Sequence, residues 1–378
     1  MSGGVRPRAC AECLRRAWLV GSLAGHIETA VSDTPGNRAR EILALPDEEL
    51  AQALAGSRAA SFIERVESLD QAGMLAAVAG SGAWASCCHD EVYPQALADL
   101  GDAPVVIFGR GKAALLAGLS QDDSVTIVGS RRPSSYGQEI AGTLGRETAS
   151  AGFAVVSGMA MGIDSRAHRG ALDAGGLTVA VLGTGVDVPY PPRCTRLYEE
   201  IVERGAVIGE LPPGTRARRW TFPARNRIMA ALGQMTIVVE ARERSGSLIT
   251  AEMAQDLSRE VGAVPGQVGS SPAAGTNALL HDGAHLIRGG QDVLDVLVGP
   301  GAEARLREQT GPSLEPELAI VLDLVERGSG SADALARAAQ IGPGALAGAL
   351  VRLELSGYVR SDSAGRYQRT LLRPPDPS

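Results

Sequence analysis

The stretch Val125-Thr-Ile-Val-Gly-Ser-Arg-Arg-Pro-Ser-Ser-Tyr-Gly137 joins a short apolar run to a glycine turn and two arginines. The apolar run predicts a buried strand, and the residues after the turn favour a helix. A turn from strand to helix presents backbone N–H groups and the positive end of the helix dipole, which together attract anions. We therefore expect phosphate binding at Gly129, Ser130, Arg131 and Arg132.

Similar apolar runs recur between residues 100 and 298 and alternate with helix-like segments. The runs are Val105–Phe108, Val125–Val128, Phe153–Val156, Thr178–Leu182, Val207–Ile208 and Thr236–Val239. Such alternation is typical of right-handed crossovers and of a mostly parallel sheet covered on both faces. We predict an α/β, extended Rossmann-type, doubly wound domain over residues 96–298. Its ligands are expected at the carboxyl ends of the strands.

Two smaller regions flank this domain. Residues 1–95 carry apolar residues at helical spacing, which predicts a helical N-terminal accessory domain. Residues 299–313 begin and end in glycine and proline and predict a linker. Residues 314–372 predict three helices followed by a two-stranded hairpin, which is the order of a C-terminal winged-helix module.

The composition limits the class of function. The chain has 378 residues, 44% of them hydrophobic, and a net charge of −7, so any polyanion site must be a local patch on an acidic protein. Aromatic residues make up only 3%, which leaves few rings for stacking on bases. No segment approaches the ~20 apolar residues of a membrane span, and we expect a cytoplasmic protein without a membrane partner.

The five cysteines are an odd number in a long chain, which argues against a disulfide scaffold. Cys10-x-x-Cys13 and Cys87-Cys88-His89 together contain zinc-ligand chemistry. A second spaced cysteine pair is missing, however, and we predict reduced thiols and no metal.

Two further turns and one helix start carry candidate phosphate ligands. Ser157 and Gly158 follow the strand Phe153–Val156, where a glycine lets a ligand approach closely. Ser245 and Ser247 follow the strand Thr236–Val239 and either bind a second phosphate or cap a helix.

The most basic stretch is residues 216–227, which contains no acidic residue. Its cations alternate with two rings and an asparagine, and the stretch includes Arg216, Arg218, Arg219, Trp220, Phe222, Arg225, Asn226 and Arg227. Arginine with interleaved aromatic residues suits single-stranded nucleic acid, because the cations contact the backbone and the rings stack on unpaired bases. A solvated arginine face is the alternative, and the paired rings favour binding.

The motifs of common nucleotide enzymes are missing. Gly129-Ser-Arg-Arg lacks the dinucleotide fingerprint G-x-G-x-x-G, and Lys112 lacks the Walker A frame, so no cofactor is expected. No catalytic residue is assigned. A Rossmann-type nucleotide or nucleoside hydrolase is nevertheless the rival interpretation, with Asp164, His168 or Glu240 as acid or base. A regulator that reads duplex DNA through the winged helix is a third.

Taken together, these segments resemble the DNA-processing protein A family, DprA, also called Smf. The matching stretches include Val128–Gly137, Ser157–His168, Gly185–Pro191, Phe222–Ile228, Ser245–Ala251 and Val264–Gly266, in order over roughly residues 100–290.

The resemblance implies a non-enzymatic, dimeric protein that binds single-stranded DNA, protects incoming strands in natural transformation and homologous recombination, and helps to load RecA. It implies phosphate contacts from Arg131, Gly129 and Ser130, with Ser157 and Gly158 in the same pocket. It also implies a basic residue at Arg219, a stacking ring at Phe222, and a basic rim completed by Arg225, Asn226 and Arg227.

The C-terminal tail lacks the cluster of basic residues that a DNA-binding domain usually presents. Its third predicted helix, Pro343–Leu355, has Arg352 as its one cation, and residues 313–378 contain seven basic and eight acidic residues. Groove binding normally needs a basic surface. We therefore predict a protein-interaction or regulatory module.

Overall fold

The structure is a computed structural model of the whole chain. It describes residues 7–32, 38–117, 124–299, 314–326, 332–339, 341–356, 358–361 and 367–369. The linker predicted at 299–313 lies almost entirely outside these ranges. Two compact units are present, Met1–Ala302 and Glu303–Ser378.

The helices, numbered in chain order from α1 to α16, are Ala11–Ser32, Arg38–Leu43, Asp47–Ala55, Ala59–Glu67, Gln71–Gly80, Ala114–Ala117, Ser135–Ser150, Ile163–Asp173, Thr195–Arg204, Thr221–Leu232, Gly246–Asp256, Ala274–His281, Gly290–Leu297, Pro316–Glu326, Ala332–Ala339 and Pro343–Leu355. The strands β1 to β11 are Trp84–Cys87, Val106–Gly111, Ser124–Val128, Ala154–Ser157, Thr178–Leu182, Ala206–Gly209, Met235–Val238, Glu260–Ala263, His285–Leu286, Val359–Ser361 and Tyr367–Arg369.

The first unit is built on a nine-stranded sheet of order β1-β2-β6-β5-β4-β3-β7-β8-β9. From β6 to β9 every neighbouring pair is parallel. At the other edge, β2 pairs antiparallel with both β1 and β6. The predicted Rossmann-type sheet is confirmed. It begins at Trp84, before the predicted domain boundary at residue 96.

Both faces of the sheet are covered, as a doubly wound fold requires. Val125 and Ile127 of β3 belong to a buried cluster with α7 and α8, whereas Val128 belongs to a cluster with α10 and α11 on the other face. This alternation follows from the period of two along a strand. It explains why the central strands read as continuous apolar runs.

The helices before β1 confirm the predicted helical N-terminal region, and they pack on the sheet domain. Leu19, Leu23 and Ile27 of α1 share a buried cluster with Trp220 and Ala224. The Trp220 indole donates to the Ala24 carbonyl at 3.0 Å. Trp220 is therefore a core residue and not a ring for stacking on bases.

The second unit packs α14, α15 and α16 with the antiparallel pair β10–β11 around a core that includes Leu318, Leu346 and Leu350. Three helices and a two-stranded wing confirm the predicted winged-helix architecture. Arg352 on α16 donates to Glu315 at 2.6 and 3.0 Å. Within the described ranges, no helix combines the length and apolar character that crossing a membrane requires.

Candidate nucleic-acid interface

The strand order changes direction between β3 and β7. The chain runs from β3 through β4 and β5 to β6 in one direction, and then α10 carries it back to β7 on the opposite side of β3. The loops after β3 and β7 diverge at such a switch point, which leaves a crevice at the carboxyl ends of the strands. The ligand site is expected there.

An open cavity of about 230 Å³ lies at this switch point. Its walls come from the loop after β3, the start of α8, the first turns of α10 and the start of α11. The lining residues that carry the argument are Arg131, Asp164, Phe222, Arg225, Ser247 and Thr250. The structure therefore brings together residues of the glycine turn after β3, the segment 157–168, the basic stretch 216–227 and the start of α11.

An exposed cation and a ring meet at the mouth of the cavity. The Arg131 guanidinium lies 5.4 Å from the centroid of the Phe222 ring, within the range of a cation–π contact. The Tyr190 ring lies 5.2 Å from the Phe222 ring at an interplanar angle of 42°. Tyr190 is 39% exposed. The Phe222 and Tyr190 rings and the exposed Arg131 guanidinium thus lie side by side at the surface.

Arg225 forms the floor of the cavity instead of its rim. The guanidinium is buried and donates to the Gly158 carbonyl at 2.7 Å and to the Val181 carbonyl. A Cβ atom on Gly158 would lie 2.2 Å from this guanidinium, so glycine is required there for steric reasons. Asn226 Oδ1 accepts from Arg225 Nε at 3.1 Å. Arg225 and Asn226 line the cavity, but most of their donors already have partners within the protein.

Arg225 also determines the electrostatics of the cavity. Burial lowers the pKa of Arg225 to about 10, while Asp164 opposes this shift. Burial likewise raises the pKa of Asp164, against the charge of Arg225 and hydrogen bonds from the Gly158 and Ala160 amides. The two charges offset each other. The positive potential at the mouth therefore comes mainly from Arg131.

The start of α11 supplies hydroxyl groups to the opposite wall. Ser245 caps this helix, because its hydroxyl accepts from the Ser247 amide, and it also contacts the Ser247 hydroxyl at 2.7 Å. Thr250 Oγ1 is buried on the same wall and has no hydrogen-bond partner among the described residues. Ser245 and Ser247 thus cap the helix and line the cavity as well.

The glycine turn after β3 is arranged differently from the prediction. The Ser130 amide donates to the Glu240 carbonyl at 2.7 Å, and the Ser130 hydroxyl accepts from the Arg132 amide. The Glu240 carboxylate accepts from the Ser134 amide at 2.9 Å and from the Ser134 hydroxyl. The expectation that the Ser130 amide and the start of α7 bind a phosphate was therefore wrong, because the Glu240 carbonyl accepts from Ser130 and the buried Glu240 carboxylate accepts from Ser134.

Two other predicted ligands point into the protein. Ser157 is fully buried, and its hydroxyl donates to the Ile127 carbonyl at 2.6 Å. The Gly158 amide donates to Asp164 at 3.2 Å. The Ser157 hydroxyl joins the end of β4 to β3, and the Gly158 amide joins the following loop to α8, so assigning them to phosphate binding was incorrect.

The prediction that Arg227 belongs to the DNA-binding rim is wrong. Arg227 is fully buried, and its guanidinium makes a bidentate ion pair with Glu210 at 2.7 and 3.0 Å and a second ion pair with Asp102 at 3.0 Å. Burial lowers its pKa most strongly of any single cause, but the charge and hydrogen bond of Glu210 and the charge of Asp102 together raise the pKa overall. A guanidinium in this position cannot reach a phosphate. The last turns of α10 face the core, and no basic rim extends to Arg227.

Arg219 is exposed next to the start of α10, three residues before Phe222. The Glu28 carboxylate of α1 accepts from the Arg219 and Trp220 amides at 3.2 and 3.4 Å. The N-terminal helix thus holds the backbone of the basic segment while the Arg219 side chain reaches solvent. Arg219 does not line the cavity, and its contact with DNA stays a prediction.

The acid–base candidates of the rival hydrolase have structural contacts. His168 is fully buried, its Nδ1 lies 2.7 Å from the Thr178 hydroxyl, and burial lowers its pKa to about 3. Glu240 caps α7, and Asp164 accepts the two amides after β4. Only Asp164 of the three lines the cavity.

Comparison with known proteins agrees with this geometry. Residues 84–298 match the model of the family described as DNA recombination-mediator protein A, and residues 305–365 match the DprA winged helix domain. The chain belongs to the DNA recombination-mediator protein A family. This result confirms the resemblance inferred from the glycine turns and the basic segment.

Relatives in this family cover most of the chain. A putative DNA processing protein DprA of Mycobacterium tuberculosis is 37% identical over 287 residues, which cover 75% of this chain and 70% of that protein. DprA of Streptococcus pneumoniae is 42% identical over 209 residues, 54% of this chain and 71% of that protein.

Two solved family structures share the fold. The structure of Streptococcus pneumoniae DprA matches at 33% identity and a TM-score of 0.60, covering 76% of this chain and 98% of that chain. A Helicobacter pylori DprA structure, described as showing a single-stranded DNA binding mode, matches at 32% identity and a TM-score of 0.50 over 54% of this chain and 92% of that one.

The sequence alone leaves the Tyr190 ring, which is held between two prolines, as either a base-stacking residue or a structural plug. It does not specify the contact of this ring with Phe222, which depends on the loop after β5. In the sequence, Thr250 is only one of several hydroxyl-bearing residues near the start of α11. Its buried, unpartnered oxygen depends on the three-dimensional packing of α10 against α11.

Proposed function

We propose that this protein is a non-enzymatic mediator of recombination that binds single-stranded DNA at the carboxyl edge of its sheet. Arg131 contacts a phosphate at the mouth of the cavity, and Phe222 stacks on an unpaired base. The hydroxyls of Ser245 and Ser247 and the amide of Asn226 bind beside them. Arg219 extends the contact along the strand.

The observation that carries this proposal is the contact between Arg131 and Phe222. A charge for the backbone and a ring for a base lie side by side on a protein whose net charge is −7. Stacking on an aromatic ring requires an unpaired base, because bases inside a duplex are covered by their neighbours. The pair therefore favours single strands over duplex.

The size of the cavity supports a polymer ligand. Small-molecule pockets usually enclose about 300–1,000 Å³, whereas this cavity measures about 230 Å³ and is open. It has room for one phosphate or part of one base, while the rest of the ligand lies outside. A nucleotide hydrolase would enclose its substrate and would hold a free acid or base against it.

Affinity is expected to be electrostatic and nearly independent of sequence, since backbone contacts carry no base information. The family further supports a role in natural transformation or homologous recombination in the cytoplasm, in which a homodimer protects the strand and helps a RecA recombinase to load. The winged-helix unit then serves as a protein-interaction module, in agreement with the engagement of Arg352 by Glu315.

Titration of labelled oligonucleotides tests the proposal. Fluorescence anisotropy with a single-stranded oligonucleotide and with the same sequence as a duplex should show tighter binding of the single strand. Equal affinity, or a preference for duplex, would contradict the proposal and favour a duplex-reading regulator. Incubation with nucleotides should release neither base nor phosphate, and turnover would favour the hydrolase.

Two further assays address the partners. Sedimentation should show a dimer at micromolar concentration. In a strand-exchange assay the protein should shorten the lag of RecA on DNA covered by a single-strand binding protein. A monomer, or an unchanged lag, would remove the corresponding part of the proposal while leaving DNA binding intact.

A further inference from the structure

A cluster of thiols and one imidazole lies at the edge of the sheet, among the residues for which no metal was expected. Cys10 directly precedes α1, and Cys13 lies in its first turn. Cys87 ends β1, and His89 follows two residues later. The ligand atoms of these four residues all lie within 4.8 Å of one another. Instead of a second spaced cysteine pair, Cys87 at the end of β1 and His89 in the following turn supply the other two ligands.

The spacing of these atoms is that of a tetrahedral metal site. Zn–S bonds of about 2.3 Å and Zn–N bonds of about 2.0–2.1 Å at tetrahedral angles place sulfur about 3.6 Å from nitrogen and about 3.8 Å from sulfur. His89 Nδ1 lies 3.6 Å from Cys10 Sγ, 3.4 Å from Cys13 Sγ and 4.0 Å from Cys87 Sγ. Two of these distances are close to the tetrahedral value and the third is longer, while all four ligand atoms lie within 4.8 Å of one another.

Hydrogen bonding alone does not account for this arrangement. A single imidazole nitrogen accepts at most one good hydrogen bond in the plane of its ring. Nevertheless, the sulfur atoms of Cys10, Cys13, Cys87 and Cys88 all lie within 4.0 Å of His89 Nδ1. A cation shared by three thiolates and one imidazole would satisfy the group, since each ligand would contribute one lone pair.

The surroundings fit a structural site. Cys13 and Cys87 are buried, while His89 is exposed. Cys13, Cys88 and His89 also line a cavity of about 450 Å³, through which an ion has access. Cys88 lies 4.0 Å from Cys13, but it is outside the set of four mutually close ligands.

We propose that Cys10, Cys13, Cys87 and His89 bind a structural zinc ion. Binding releases the protons of the three thiols to solvent, and the imidazole binds in its neutral form. Closed four-ligand sites of cysteine and histidine are structural and contribute directly to folding free energy.

The ion would join the N-terminal helices to the sheet. It bridges the start of α1 and the end of the edge strand β1, which are more than 70 residues apart in sequence. Farther along the same helix, Ala24 and Glu28 hold the basic segment at Arg219 and Trp220. Loss of the ion is therefore expected to loosen the segment that presents Arg219. This consequence rests on the proposed function, whereas the metal site itself does not.

Metal analysis of the full-length protein, purified under reducing conditions, tests the site. Inductively coupled plasma mass spectrometry should find about one zinc per chain. Co²⁺ added to chelator-treated protein should give the sulfur-to-cobalt charge-transfer absorption and intense visible bands of a tetrahedral thiolate site. Both measurements use the wild-type protein, so their outcome does not depend on whether a substituted variant folds.

Variants locate the ligands. Cys13→Ser and His89→Ala should lower the zinc content and change the cobalt spectrum. Cys194→Ser is the matched control, because Cys194 is a buried cysteine that packs in a different cluster near α9, and it should keep the zinc. Cys88→Ser should keep it as well. Zinc-free protein that gives no tetrahedral cobalt spectrum, or a disulfide between these cysteines in reduced preparations, would overturn the proposal.

Binding measurements separate this inference from the proposed function. Chelator-treated protein should melt at a lower temperature whether or not the chain binds DNA. A protein that holds zinc but shows no affinity for single strands would retain the metal site and reject the proposed function. A protein that binds single-stranded DNA tightly but never holds a metal would support the proposed function and reject the metal site.

Discussion

The start and the middle of α10 lie beside arginines with opposite surroundings. At the start, Arg131 of the loop after β3 is exposed and lies over the Phe222 ring. In the middle of the helix, Arg227 is fully buried between Asp102 and Glu210. The sequence presents residues 216–227 as one basic stretch, and the structure divides it into an exposed half and a buried half. A count of arginines therefore overestimates the surface available to a polyanion.

The largest expected effect belongs to the buried half. Arg227→Ala leaves Glu210 without its arginine partner, while Asp102 keeps its ion pair with Arg40. Breaking a buried ion pair from one side costs about 3–5 kcal/mol of stability. Urea denaturation followed by circular dichroism measures this loss. Arg132→Ala, at an exposed position, is the control and should leave the unfolding midpoint nearly unchanged. An equally stable Arg227→Ala variant would contradict the burial of this ion pair.

The exposed half should instead affect binding. Phe222→Ala should weaken single-stranded DNA binding by about 1–3 kcal/mol, because stacking on one base is lost. Phe62→Ala is the matched control, since Phe62 also carries an arginine over its ring but lies on α4, away from the cavity. Anisotropy titrations of the folded variants give both affinities. Equal affinities would make Phe222 a packing residue only.

The pH dependence of stability tests the burial of His168. The pKa of His168 is lowered from 6.5 to about 3 in the folded protein, chiefly by burial. Between these values the unfolded chain binds a proton that the folded chain excludes. The contribution of His168 to stability is therefore full above pH 6.5 and is lost as the pH falls toward 3.

His168→Gln should remove this part of the acid sensitivity. The stability of the wild type relative to this variant should fall by up to about 1.4 kcal/mol per pH unit below pH 6.5. Urea denaturation between pH 7.5 and about 5 measures the difference. The exposed His281 provides the control substitution His281→Gln. A difference that is constant with pH would place His168 in solvent.

The smallest effect is expected for single exposed cations. Arg131→Ala removes one phosphate contact, which should weaken binding and flatten the dependence of log K on log salt by about 0.7. Arg219→Ala should behave similarly. Arg166→Ala, an exposed arginine on α8 that does not line the cavity, should keep the slope of the wild type. An unchanged slope in both rim variants would reject their contact with DNA.

The sheet was predictable because its signals are local. Buried parallel strands such as Val125–Val128 and Thr178–Leu182 read as apolar runs, and glycine marks their ends. The winged-helix elements follow from helical periodicity and turn residues in the same way. The strands β8 and β9 were missed because Glu260–Ala263 and His285–Leu286 are short and only partly apolar.

The site was predictable only in part, because its details depend on distant partners. Nothing near Arg227 in sequence reveals that Asp102 and Glu210 surround it. The Glu240 carboxylate that accepts from Ser134 at the start of α7 follows β7, more than 100 residues later in the chain. The cysteine cluster likewise joins residues 10–13 to residues 87–89. Local sequence identifies the type of a side chain, and tertiary packing decides whether it faces solvent.

Photo-crosslinking shows whether single-stranded DNA lies at the mouth of the cavity, because it locates the bound strand without any substitution. An oligonucleotide containing 5-bromouracil would be irradiated in complex with the wild-type protein, and the crosslinked peptides identified by mass spectrometry. Crosslinks are expected at Phe222 or Tyr190, at the mouth of the cavity. Crosslinks confined to the winged-helix unit, or to surfaces away from residues 131, 190 and 222, would contradict it.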